Sequence, residues 1–387
     1  MTSWITKLAL IFFAGSLLGA EPRPIVVGAV VSETGPLAAL AFDYRRALVV
    51  WQEQVNAEGG LLGRKVELRL LDDGSAAARV GALYGKLLRE DKADLLVGPY
   101  GSAASLVAAA EAETARHVLV NGAAPSRVVH RRAPRYVFQA VTPYSAYGTR
   151  AIELARNEGI KSVFVLARDD PAVREMAEAA RQAALEAGIA CGDVEVFSSG
   201  VDDYKAQVEK AQAANAQGWI AFGEVRDAAQ MVKTFKTLRY APKLFFARGA
   251  EDPKFISLVG QDAEYTVGIK EYDPNLPTPG NEVFVETFSA KWSAKPTAAA
   301  AEGYNAASVL AAAVARTKSV DQEKLRAALA SLDIGTVLGR YKVDPSNGVQ
   351  IGAKPAIFQI VRGKAQFVPP GGHVVPYPAW SERRLLK

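Results

Sequence analysis

The sequence predicts an α/β protein of doubly wound parallel sheets, and three observations carry that prediction. The run Ile25-Val26-Val27-Gly28-Ala29-Val30-Val31 is continuously apolar, as strands covered on both faces are. Short apolar segments then alternate with amphipathic ones along most of the 387 residues. Finally, the alternation restarts after Thr142-Pro143, so a second sheet unit of similar design follows the first.

After the first strand, Leu40, Tyr44, Ala47, Leu48, Trp51 and Val55 recur at helical spacing and form one apolar stripe. Gly59-Gly60 ends that helix, because glycine accepts the left-handed conformation of a C-terminal cap. Strands are expected over 66–71, 93–100 and 117–121, with helices over 75–89 and 102–116 between them. In the second unit, helices are expected over 144–158, 172–187, 203–216 and 227–238. Strands there fall over 162–167, 194–197, 219–222 and 244–247. Beyond 265–269 the pattern turns helical, over 281–292, 298–316 and 321–332. Strands at 340–343 and 357–361 precede a Pro-rich tail that ends Pro376-Tyr377-Pro378-Ala379-Trp380. The late helices are too few to enclose a core of their own, so the chain is expected to return and complete the first unit.

Composition narrows the function. Lys7 followed by the apolar stretch from Leu8 to Gly19, with Ala20 before Glu21, reads as a secretory signal over 1–20, too short to span a bilayer. Cleavage after Ala20 leaves about 367 residues and lowers the formal charge from +5 to about +4. No later apolar run approaches the roughly 20 residues of a spanning helix. Cys191 is the only thiol, which precludes an internal disulfide and reads as a small hydrophobe. The densest basic runs, Arg127 with His130-Arg131-Arg132 and Arg135, and then Arg383-Arg384, are not interleaved with aromatics. They read as solvated surface, not a nucleic-acid interface.

Catalysis finds no support. His117, His130 and His373 are far apart in the chain, and no zinc motif, nucleophile elbow or dinucleotide fingerprint occurs. The glycines of Gly81-Ala82-Leu83-Tyr84-Gly85-Lys86 lack phosphate-loop spacing and fall inside a helix. No cofactor or metal is expected.

In open α/β sheets, ligands bind where loops and helix N-termini converge at the carboxyl ends of strands. The strongest candidate is Tyr100-Gly101-Ser102. Two small residues admit a ligand to the backbone, and Ser102 stands where an N-cap is expected. Free N–H groups there favour an anion. Tyr100 offers a face for a planar or apolar ligand. In the second unit, Glu224 and Glu251 are placed to receive a cationic group, and Arg226 or Arg248 a second carboxylate.

Two motifs add a resemblance. The turn Asn56-Ala57-Glu58-Gly59-Gly60-Leu61-Leu62-Gly63-Arg64 and the string Val97-Gly98-Pro99-Tyr100-Gly101-Ser102 resemble the type I periplasmic solute-binding proteins of the leucine/isoleucine/valine-binding kind. The resemblance implies two lobes joined by three crossovers, near residues 142, 272 and 343. Lobe 1 would comprise 21–141 plus 273–342, and lobe 2 142–272 plus 343–387. It further implies a periplasmic receptor that delivers a small solute to the membrane permease of an ABC importer, with Ser102 holding the ligand carboxylate. The backbone of the loop at Ala123 and Ala124 would form a second contact. A ligand sensor of the same fold, similar to the amide- and urea-binding relatives, is the alternative. The chain also departs from the family pattern: Pro125 replaces a hydroxyl residue, and the ligand-covering tyrosines align with Leu40, Pro171 and Glu224. An aliphatic amino acid is therefore not the expected ligand by default.

Overall fold

The computed structural model describes residues 22–382. The signal segment over 1–20, its cleavage after Ala20 and the Arg383-Arg384 pair lie outside the described residues. The first sheet draws on β1 (Ile25–Val31), β2 (Val66–Asp72), β3 (Leu95–Val97), β4 (Leu119–Asn121) and β5 (Val137–Gln139). Its order is β2-β1-β3-β4-β5, and every ladder is parallel. The intervening helices are α1 (Ala38–Ala57), α2 (Ala77–Arg89) and α3 (Ser102–Ala115). Successive β1 side chains point to opposite faces, which accounts for the two cores of this unit. Ile25, Val27, Ala29 and Val31 pack with α1, whereas Val26 and Val30 pack with α2 and α3.

The glycine-rich turn after α1 is wholly structural. Gly59 and Gly60 have φ of +97° and +78°, and a Cβ on Gly60 would stand 2.0 Å from the Arg64 carbonyl oxygen. Asn56 accepts the Val66 N–H at 2.7 Å and donates to its carbonyl at 2.9 Å, which fixes the end of α1 beside β2. Arg64 donates to the carbonyls of Arg23 and Pro24 at 2.6 and 3.2 Å, holding the chain as it enters β1.

The second unit runs through α4 (Tyr144–Asn157), β6 (Ser162–Arg168), α5 (Pro171–Glu186), β7 (Ala190–Cys191), β8 (Glu195–Phe197), α6 (Lys205–Ala213), β9 (Gly218–Phe222), α7 (Val225–Leu238), β10 (Leu244–Ala247), α8 (Pro253–Val259) and β11 (Val267–Lys270). Alternation again divides its core. Ile220, Phe222 and Phe246 pack with α4 and α5, and Trp219, Ala221 and Phe245 with α6, α7 and α8. Cys191 is a free thiol that burial pushes up to about 11, so it stays protonated and unreactive.

The chain then returns to the first sheet. Helices α9 (Asn281–Trp292), α10 (Ala298–Thr317) and α11 (Gln322–Ser331) cover the α1 face of the first sheet. Small residues let α10 lie close against α1: a Cβ on Gly303 would be 2.6 Å from the Tyr44 carbonyl oxygen. A separate hairpin follows, β12 (Asp333–Thr336) with β13 (Gly339–Lys342). The last strands, β14 (Ala356–Val361) and β15 (Lys364–Val368), join the second sheet, whose order is β15-β14-β11-β10-β9-β6-β7 with β8 also on β6.

Several expectations need correction. The core of the second sheet is parallel through β11; beyond it β14 pairs antiparallel with β11, and β15 returns antiparallel on β14 because the two-residue turn between them can join only antiparallel neighbours. The expected strand over 93–100 contracts to Leu95–Val97, since Gly98-Pro99 removes a side chain and an N–H from the ladder. The sequence reading also missed β5, whose three apolar-flanked residues are too few to show a period.

Candidate ligand-binding site

Helix α3 begins at the end of β3, and the conformation of Gly101 (φ +91°) makes that turn possible. The cap differs from expectation. Gly101 occupies the N-cap position, Ser102 is the first helical residue, and no side chain caps the helix. Ser105 N–H bonds back to the Gly101 carbonyl at 3.0 Å, leaving the first-turn amides before it without helical partners. A Cβ at Gly101 would meet nothing within 4 Å, so the turn opens onto space rather than packed protein.

The neighbouring loop is built to be rigid. Gly101 N–H donates to the Ala123 carbonyl at 3.0 Å, and Tyr100 and Ala123 form an isolated parallel bridge. Asn121 accepts the Ala124 N–H at 3.0 Å, while Asn121 and Gln139 side chains both donate to the Ala124 carbonyl at 3.0 Å. Ala124 is fully buried with both backbone groups engaged, so it buttresses the loop instead of meeting a ligand. Gly122 presses this loop onto α10: a Cβ there would lie 2.7 Å from Ala306 Cβ and 3.0 Å from the Glu302 carbonyl oxygen.

Around that loop stand groups that the sequence analysis did not single out. Tyr100 meets Tyr44 edge-on at 6.1 Å. Burial, Glu302, Tyr144 and Glu271 all act to raise the Tyr100 hydroxyl pKa. Tyr144 and Tyr147, one turn apart at the start of α4, are likewise raised by burial; Arg248 opposes the shift in both, and Glu302 adds to it. The charge of Glu302, from the first unit, thus acts on Tyr144 and Tyr147 of the second as well as on Tyr100.

Glu271 and Glu302 are hydrogen-bonded to each other, and Glu271 also accepts the Thr142 N–H at 2.8 Å. Burial raises both carboxyls, Glu302 the further because the Glu271 charge lies beside it. The pair therefore shares a proton instead of carrying two buried charges. Glu302 is the lone acid in the Ala-rich α10, and Tyr144 and Tyr147 follow the Thr142-Pro143 crossing. Those were the available signals.

The acidic candidates of the second unit are already occupied. Glu224, the N-cap of α7 just after β9, has its side chain 63% exposed and pairs with Arg168 at 3.0 Å. It also forms a capping box with Asp227, which binds Arg168 at 2.9 Å. Glu251 accepts the Gly249 N–H at 2.7 Å; burial raises its pKa, and Arg248 opposes the rise. Arg248 itself donates to the Gly223 carbonyl at 2.8 Å through Nη1. Glu224 and Glu251 thus organise loops, and Arg248 is the cation whose charge acts on Tyr144 and Tyr147. Among the described residues, no group of three or more His, Cys, Asp or Glu is arranged to hold a metal.

Comparison with known proteins identifies the class. The profile of the family described as periplasmic binding protein matches residues 24–365, and the chain belongs to that family. An "Amino acid binding protein" of Pseudomonas aeruginosa is 24% identical, over 84% of this chain and 88% of that one. A protein from Rhodospirillum rubrum, solved as a candidate branched-chain amino acid ABC transporter, is 22% identical with a TM-score of 0.82, covering 89% of this chain and all of that one. A solute-binding protein of an ABC transporter from R. palustris, solved in complex with benzoate, is 20% identical with a TM-score of 0.65, over 92% and 99%. The family is one of two-lobed periplasmic receptors that bind solutes without turning them over.

Proposed function

We propose that this protein captures a small carboxylate-bearing solute between two lobes and delivers it to the permease of an ABC importer. The lobes are 21–141 plus 273–342 and 142–272 plus 343–387, and export removes residues 1–20. The observation that carries this reading is the uncapped start of α3 opening at Gly101-Ser102. Its amides and the Ser102 hydroxyl would take the carboxylate. Tyr100, Tyr144 and Tyr147 offer faces for an apolar or planar body, and Arg248 closes the far side. A ligand held by both lobes favours their closed arrangement through its differential affinity.

Two of the named relatives fit such a ligand, one as a binder of amino acids and the other through benzoate. The occupied state of Glu224 and Glu251 favours a plain acid over an α-amino acid. Calorimetry of ligand-stripped protein against benzoate, aliphatic acids, amino acids and amides tests the reading. An acid is expected to bind well below millimolar, and Ser102→Ala to weaken it by about 1–3 kcal/mol. Absence of binding by every acid at about 1 mM, near 4 kcal/mol of affinity, would refute the proposal.

A further inference from the structure

The loop at Ala123-Ala124 continues directly into a segment gripped by the other sheet unit. Ser126 Oγ donates to Glu175 Oε2 at 2.8 Å, and Arg127 N–H donates to Oε1 of the same carboxylate at 3.1 Å. The Arg127 guanidinium adds a looser ion pair at 3.7 Å. Glu175 lies on α5, on the second sheet, whereas Ser126 follows β4 of the first. Beside this contact, Tyr144 N–H at the start of α4 donates to the Pro125 carbonyl at 3.1 Å. A cavity of about 520 Å³ separates Arg127, His130 and Arg131 from Arg174 and Glu178.

We infer that Glu175 is a positioning residue, a clasp that ties the ligand loop of the first unit to the second and so sets the balance between lobe arrangements. Three features support it. Both carboxylate oxygens are used, by donors on the same short segment. The Glu175 side chain is only 17% exposed, so its charge-assisted bonds are poorly screened. The adjacent cavity means that side-chain packing does not duplicate the clasp. Because Ser126 lies two residues from Ala124, a movement of the lobes is transmitted to the ligand loop, and the reverse. The inference rests on the two-lobed receptor reading.

The test measures the lobes without ligand. Spin labels at Ala110 and Ala206, both exposed, on α3 and α6, in a Cys191→Ser background report the distance between units. Glu175→Ala is expected to lower the ratio of the arrangement seen here to more open ones about tenfold, equivalent to about 1.4 kcal/mol. Ser126→Ala, which leaves the Arg127 N–H bond, is expected to give a smaller shift in the same direction. Melting temperatures of both variants are expected to match the parent, which separates a clasp from a general fold defect. Glu175→Gln keeps the shape and serves if Glu175→Ala folds poorly. Distance distributions identical to the parent in all variants would overturn the inference. Failure of the receptor reading would show separately, in the calorimetry of the unaltered chain.

Discussion

Gly122→Ala is the sharpest test of how this site is assembled. A Cβ at Gly122 would stand 2.7 Å from Ala306 Cβ and 2.7 Å from Tyr44 Oη. Carbon atoms in contact prefer about 3.5–4.0 Å, so roughly 1 Å of overlap has to be relieved. Neither side yields easily. Helix α10 is held at Gly303, beside the Tyr44 backbone, and Tyr44 donates from its hydroxyl to the Gly98 carbonyl at 2.8 Å. The loop is pinned through Ala124 by Asn121 and Gln139. Overpacking of this kind costs about 1–3 kcal/mol, and loss of the buried Tyr44 bond about 1 kcal/mol more. Destabilisation of about 2–4 kcal/mol is therefore expected in urea unfolding, with the slope unchanged. Ligand affinity is expected to fall about tenfold or more, because Ala123 shifts with the loop. Gly101→Ala is the contrast: its Cβ meets open space, so the cost is backbone strain alone, about 1–3 kcal/mol for a conformation nearly confined to glycine, with no packing clash. A Gly122→Ala protein within about 0.5 kcal/mol of the parent, binding equally well, would refute the close approach of loop and α10.

Two further expectations concern pH. Glu302 is raised by burial and by Glu271, so its contribution is present below the ordinary glutamate pKa and is lost as pH rises through its folded value. Glu302→Gln keeps a donor toward Glu271 without a charge to bury. Its melting temperature should gain on the parent from pH 5 to pH 8, and parallel profiles would sink the shared-proton assignment. His117, lowered to about 4 by burial, behaves oppositely with acid. Its neutral form contributes stability above the ordinary histidine value near 6.5, and that contribution is lost as pH falls through about 4. His117→Gln should flatten that decline, by no more than about 3 kcal/mol given partial exposure, and an unchanged slope in acid unfolding would refute it.

Much of the architecture was legible because it is encoded over a few residues. The buried run of β1, the stripe of α1 and the Gly59-Gly60 cap each arise from sterics between near neighbours. The acidic pair Asp72-Asp73 at the end of β2 shows the limit of such reading. Asp72 clamps the turn after β1, accepting Thr34 Oγ1–H at 2.6 Å and the Glu33 N–H at 2.9 Å, and Thr34 foremost lowers its pKa to about 2. Its role is visible only once β1 and β2 lie side by side.

The sequence alone determined the alternation of the main strands and helices, the small residues at Gly101-Ser102, the lone thiol and the family. Tertiary structure decided which charges are free. Arg168 captures Glu224, Gly249 captures Glu251, and Glu302 on the returning α10 meets Glu271 beside the crossing at Thr142. It also decided that Ala124 faces inward and that Glu175 reaches Ser126, 49 residues away. Periodicity and caps act over one or two turns of chain. Pairing between distant residues depends on where the chain crosses between sheets and how closely α10 packs, and no local pattern records that.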